Sequence, residues 1–120
     1  MIVIDGESLA LDELMAIADD FAPLALAAAA ATRVDAARTV VDHKAAGTDA
    51  VYGINTGFGA LAETPIPREA LGALQLNLLR SHAAGVGEPL PTRAVRASMA
   101  LRANVLAKGF SGIRRSTLSC

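Results

Sequence analysis

Tyr52-Gly53-Ile54-Asn55-Thr56-Gly57-Phe58-Gly59 sets a phenol, an amide, a hydroxyl and a second aromatic ring among three glycines. Glycine takes positive φ without strain and lets a backbone pass close to another group, at the cost of greater freedom when unfolded. A chain places such a run where a loop bends sharply, moves or meets a ligand. Tyr52 is the only tyrosine in the sequence, and a phenol opening a glycine-rich loop can serve as acid, base or substrate contact. The plainer alternative is a tight turn with its tyrosine on the surface, and spacing alone leaves both open. Asn55 and Thr56 suit side chains that satisfy backbone groups within a turn.

Two further polar loops carry unusual residues: Ser81-His82 followed by Gly85 and Gly87, and Ser111-Gly112 followed by Arg114. His82 sits between a helical pattern and a glycine-rich turn. Neutral imidazole both donates and accepts and titrates near neutrality, so it can bind a polar ring or carry a proton. A histidine that merely caps a helix end is the alternative. His43 falls off the apolar stripe of its segment and reads as a solvated surface residue. No P-loop, zinc motif or Ser-His-acid arrangement is legible.

The elements that must position these loops are mostly helical. Residues 1–4 predict a short strand that turns at Asp5-Gly6, and Leu11, Leu14, Met15 and Ala18 recur at helical spacing behind the acids Asp12 and Glu13. Pro23 interrupts, and the alanine tract over residues 25–31 favours helix by propensity alone. Thr32 suits the N-cap of a second helix, with Val34, Ala37, Val41 and Ala45 on one face and Gly47 as its stop. Pro65 and Pro67 bracket the start of a third, whose buried stripe would be Leu71, Leu74, Leu78 and Leu79. Pro89 and Pro91 start a fourth, with Val95, Met99, Arg102 and Leu106 on related faces and Gly109 as its stop.

Composition narrows the class. The chain has 120 residues, about one domain's worth, and is 52% hydrophobic but only 3% aromatic. That excludes a disordered chain, which is polar and highly charged. A net charge of −1 leaves no basic footprint for nucleic acid. Cys120 is the single cysteine, so no internal disulfide and no cysteine-rich metal cluster is expected. No apolar run reaches membrane-spanning length, and the acid at Asp5 is unlike a signal peptide. The expectation is a soluble, cytoplasmic, mainly α chain with a core too thin to stand alone, part of a larger helical assembly.

Three of these segments together carry a resemblance. Residues 52–59, then Leu79-Arg80-Ser81-His82-Ala83-Ala84-Gly85-Val86-Gly87-Glu88-Pro89-Leu90, then Lys108-Gly109-Phe110-Ser111-Gly112-Ile113-Arg114, closely resemble the N-terminal region of the aromatic amino acid ammonia-lyases. The opening Ile4-Asp5-Gly6-Glu7-Ser8-Leu9 also looks like that family's start, and the resemblance covers residues 1–115. It implies the N-terminal segment of a large helical lyase fold with a short N-terminal strand. The implied reaction is non-oxidative elimination of ammonia from an α-amino acid, in a homotetramer whose active sites draw on several subunits. The family's electrophile is a 4-methylidene-imidazol-5-one group made from the protein's own Ala-Ser-Gly. The position matching Tyr52 is the base, on a mobile loop over the site that here comprises Gly53, Asn55, Thr56, Gly57, Phe58 and Gly59. A phenol ordinarily titrates near pKa ~10, so that role needs an environment that lowers it. The position matching His82 contacts the substrate's side chain. The pair Ser81-His82 looks like the histidine-using branch, with L-histidine giving trans-urocanate. Two imidazoles are chemically matched, since each can donate to the other's free nitrogen.

The sequence departs from the family pattern in two ways. It contains no Ala-Ser-Gly, and Phe110-Ser111-Gly112 is a different motif. After Arg115 the pattern is lost, so residues 116–120 read as a divergent tail from truncation or frameshift. The 120 residues alone are therefore expected to have no lyase activity. Two alternatives stand beside the histidine-using reading: another lyase or aminomutase of the family, and a non-catalytic helical remnant or interaction module.

Overall fold

Strand β1 (Ile2–Ile4) pairs in parallel with β2 (Leu24–Leu26), in the register Ile2 to Leu24, Val3 to Ala25 and Ile4 to Leu26. This is seen in a computed structural model that describes residues 1–119; Cys120 lies outside them. Parallel strands need a long crossover, usually helical, and α1 (Leu11–Asp19) supplies it. Its entry is built by two carboxylates. Asp5 Oδ1 accepts the amides of Glu7 (2.7 Å) and Ser8 (3.1 Å). Those amides hold the Asp5 carboxyl below its ordinary value. Glu13 Oε2 then accepts the amide of Ala10 at 2.9 Å, one half of a capping box.

Two expectations fail at the alanine tract. Residues 24–26 are strand, because β1 offers backbone partners that propensity ignores: Ile2 N–H donates to the Pro23 carbonyl and Ala27 N–H to the Ile4 carbonyl, each at 2.9 Å. Helix α2 (Ala28–Ala46) then begins four residues before Thr32. Thr32 is thus inside the helix, where its hydroxyl donates back to the Ala28 carbonyl at 3.1 Å instead of capping.

The chain divides into two compact units, Met1–Thr39 with the segment from Pro89 onward, and Val40–Glu88. In the first, α4 (Thr92–Leu106) packs on α1, and Ile4, Ala30 and Ala107 form a core flanked by Leu26, Ala27 and Ala103. The buried residues here are Ala100 of α4 and Ala107, its C-cap, while Val95 and Met99 are exposed. Small side chains win here because neighbouring backbones come close. Arg33 donates to the carbonyls of Asp5 and Ala107, and the Gly6 amide donates to Asn104 Oδ1 at 2.9 Å. Beyond α4 lies a single helical turn, α5 (Arg115–Leu118).

Arg96 fixes the far end of α1. Its Nε donates to the Ile17 carbonyl at 2.9 Å, and its guanidinium lies 4.2 Å from the ring centroid of Phe21, a residue held at φ +56°. Arg96→Ala is expected to destabilise the chain by about 1–2 kcal/mol, the sum of a hydrogen bond and a partly shielded cation–π contact. The urea midpoint should fall accordingly. Arg93→Ala, which removes only an exposed ion pair to Asp19, should leave it nearly unchanged.

The second unit holds the end of α2, two single turns of 3-10 helix (Gly59–Leu61 and Arg68–Ala70) and α3 (Leu71–His82). The leucine stripe expected to be buried on α3 is only half covered at Leu71, Leu74 and Leu78, and Leu79 is exposed. The rest of this unit, largely loop, is too little to cover it.

Candidate active site

The loop that carries Tyr52 is anchored by its own polar residues. Asn55 is 5% exposed and Thr56 1%, which for an amide and a hydroxyl demands hydrogen bonds. Asn55 Oδ1 accepts the Val51 amide at 2.8 Å and its Nδ2 donates to the Asp49 carbonyl at 2.9 Å. The Asn55 carbonyl accepts the Ile66 amide at 2.8 Å, and the Gly57 amide donates to Thr64 at 3.1 Å. Thr56 pairs with Pro65 in an isolated antiparallel bridge, and its hydroxyl donates to the Gly57 carbonyl at 3.0 Å. Both side chains are therefore spent on backbone groups and act as scaffold. Gly57 is sterically required: a Cβ there would lie 2.6 Å from Leu61 Cβ and 2.9 Å from the Leu61 carbonyl oxygen.

Outside this anchor the loop presents its chemistry. Gly53 and Gly59 take φ of +80° and +58° on either side of it. Tyr52 is 65% exposed, and its ring meets Phe58 edge to face, centroids 6.2 Å apart at 71°. Phe58 in turn lines an open apolar hollow with Leu78, Leu79, His82 and Ala83. Phe58 is thus the link between the two candidate residues, touching Tyr52 on one side and sharing the hollow with His82 on the other.

His82 is the last residue of α3, and its Nδ1 lies 2.9 Å from Ser81 Oγ and 3.0 Å from the Leu78 carbonyl oxygen. The helix-capping reading of His82 is therefore correct for one face of the ring. The Leu78 contact was legible in principle from the i, i+4 spacing of the two residues. Phe58 had no separate signal, since its position is fixed by the bridge at Thr56 and not by any periodicity.

Phe110, Ser111 and Gly112 belong to the first unit. Phe110 is exposed, Gly112 is buried at φ +67°, and the Ile113 amide donates to Ser111 Oγ at 3.4 Å. Arg38 Nη1 donates to the Gly112 carbonyl at 3.2 Å, tying this turn to α2. Among the described residues no group of three or more His, Cys, Asp or Glu is placed to hold a metal, and no helix is long and apolar enough to cross a membrane.

A sequence model of the aromatic amino acid lyase family matches residues 9–120. The chain belongs to that family. Among its relatives, the histidine ammonia-lyase of Myxococcus xanthus is 54% identical over 118 residues, 98% of this chain. The crystal structure of histidine ammonia-lyase from Trypanosoma cruzi superposes with a TM-score of 0.88 at 47% identity over 98% of the chain. A tyrosine aminomutase from Streptomyces globisporus superposes at 0.89 with 32% identity, again over 98%. The lyase segment spans 23% of the Myxococcus xanthus protein's length, 23% of the Trypanosoma cruzi chain and 22% of the aminomutase chain.

Proposed function

We propose that this lyase segment is the base-bearing part of a histidine ammonia-lyase, acting on L-histidine to give trans-urocanate and ammonia. The observation that carries the reading is Ser81-His82 closing α3 beside the apolar hollow that Phe58 shares, with Tyr52 packed on the other side of Phe58. The hollow accepts the apolar edge of a ring and His82 offers that ring a hydrogen bond. Tyr52, as its phenolate, takes the proton from Cβ and becomes the phenol. The electrons of that C–H bond form the Cα–Cβ double bond as the Cα–N bond breaks and nitrogen leaves as ammonia.

The family's 4-methylidene-imidazol-5-one group has no source in these 120 residues. Their one Ser-Gly pair follows Phe110 and is tied into a turn against α2, so no step is assigned through that group. Activity accordingly needs residues outside this segment, in a homotetramer on the family's pattern, and the 120 residues alone are expected to be inactive.

The test is a graft of this chain in place of the matching segment of the Myxococcus xanthus enzyme. Ultraviolet absorbance should report trans-urocanate from L-histidine and no β-amino acid from L-tyrosine. A folded graft that leaves L-histidine untouched overturns the reading. One that isomerises L-tyrosine instead favours an aminomutase, the alternative supported by the likeness to the Streptomyces globisporus structure.

A further inference from the structure

Ser81, His82 and the Leu78 carbonyl form a closed triangle. Ser81 Oγ lies 2.9 Å from the Leu78 carbonyl oxygen and 2.9 Å from His82 Nδ1, and Nδ1 lies 3.0 Å from that same oxygen. A carbonyl oxygen has no proton to give, so its approach to Nδ1 is attractive only when the nitrogen carries hydrogen. Suppose Nδ1 were bare. The Ser81 proton would then have to serve either Nδ1 or Leu78, and the nitrogen lone pair would face the carbonyl lone pairs at hydrogen-bond distance. With Nδ1 protonated, every contact is satisfied. The Ser81 hydroxyl donates to Leu78, and Nδ1–H is shared between Ser81 Oγ and the carbonyl.

We propose that Ser81 is a positioning residue that holds neutral His82 in its Nδ1–H tautomer, leaving Nε2 as a bare acceptor. A ring whose Nε2 only accepts selects a partner with a proton to donate, such as an imidazole N–H, over a phenyl edge that has none. The pair Ser81-His82 therefore acts as one unit: the histidine makes the contact and the serine decides its polarity. α3 supplies the geometry, because residues four apart stack one turn above another, which puts the Leu78 carbonyl under the ring. The tautomer assignment stands on these three distances alone, and its consequence for selectivity rests on His82 being the substrate's side-chain contact.

Two measurements separate those layers. In a long-range nitrogen–proton correlation spectrum of the 15N-labelled chain, with the ring neutral, His82 is expected to show a protonated Nδ1 and a bare Nε2. Ser81→Ala should shift the population toward Nε2–H, and Ser81→Thr, which keeps the hydroxyl, should restore it. In the graft, Ser81→Ala should raise KM for L-histidine by about three- to tenfold with little change in kcat, and Ser81→Thr should reverse most of that rise. A wild-type ring protonated at Nε2 overturns the tautomer assignment, and a Ser81→Ala ring indistinguishable from wild type overturns Ser81's positioning role, leaving the Leu78 carbonyl to hold the tautomer. A tautomer that responds as stated while KM stays fixed overturns His82's contact with substrate and leaves the assignment standing. Serine 81 is exposed, so its loss leaves the fold in place.

Discussion

In the graft, Tyr52→Phe is expected to lower kcat for L-histidine by about two to four orders of magnitude, the usual worth of a positioned general base. KM should move by no more than a few fold. The substitution is unusually clean at this position. The ring of Tyr52 meets Phe58 through carbon, edge to face, and that contact survives loss of the hydroxyl. The side chain is 65% exposed, so no packed core is disturbed. The loop beneath is held by Asn55 and Thr56, whose hydrogen bonds do not involve Tyr52. What is removed is one proton acceptor and nothing else. A base acts only in the transition state, so kcat and kcat/KM should fall together, which distinguishes it from a binding residue. A kcat within threefold of the parent would remove Tyr52 from the mechanism, and a large rise in KM at constant kcat would make it a contact.

The motifs that carry this prediction were legible in the sequence because their residue types are rare in packed elements. Three glycines around Tyr52, and Ser81-His82 before Gly85 and Gly87, stand out against an alanine-rich helical background. Helix α1, the end of α2 at Gly47 and the start of α3 after Pro67 were legible for the same reason, since each is marked by a residue with a strong local preference. What failed was whatever depended on a partner distant in sequence. Residues 24–26 carry no strand signal of their own and are strand because Ile2–Ile4 lies beside them. What is buried is Ala100 of α4 and Ala107 just past its end, not the larger Val95 and Met99, and at Ala107 the neighbouring backbone is so close that a Cβ on Gly6 would lie 2.8 Å from the Ala107 carbonyl carbon. Hydrophobic periodicity weights large side chains, and here the close approach of neighbouring segments reverses that weighting. Within the site, Phe58 was hidden in the same way: its neighbour on one side is local and its neighbours on the other are twenty residues further along, Leu78 and Leu79.

Close approach also yields the largest expected stability effect, and it can be tested with a substitution whose sign reverses between two glycines. Gly109 ends α4 at φ +82°, a conformation that costs an L side chain about 1–2 kcal/mol. A Cβ there would lie 2.8 Å from the Arg33 carbonyl carbon and 2.9 Å from its oxygen, backbone atoms of α2 that cannot turn aside. Overpacking of this kind costs a further 1–3 kcal/mol or so. Gly109→Ala should therefore destabilise the chain by about 2–5 kcal/mol, a large share of what a small domain has. Gly72 lies in the first turn of α3, its φ is not positive, and an added Cβ meets nothing within 4 Å. There the same change removes only unfolded-state freedom, and Gly72→Ala should stabilise by about 0.5–1 kcal/mol. Urea midpoints of the two variants and the parent should bracket the parent, Gly109→Ala below it and Gly72→Ala above. If both midpoints lie above the parent's, chain entropy dominates at both sites and the contact between the end of α4 and α2 is looser than its distances state. If Gly109→Ala alone unfolds the chain outright, that contact is what couples β1, α2 and α4 into one unit, since Arg33 also binds the carbonyls of Asp5 and Ala107.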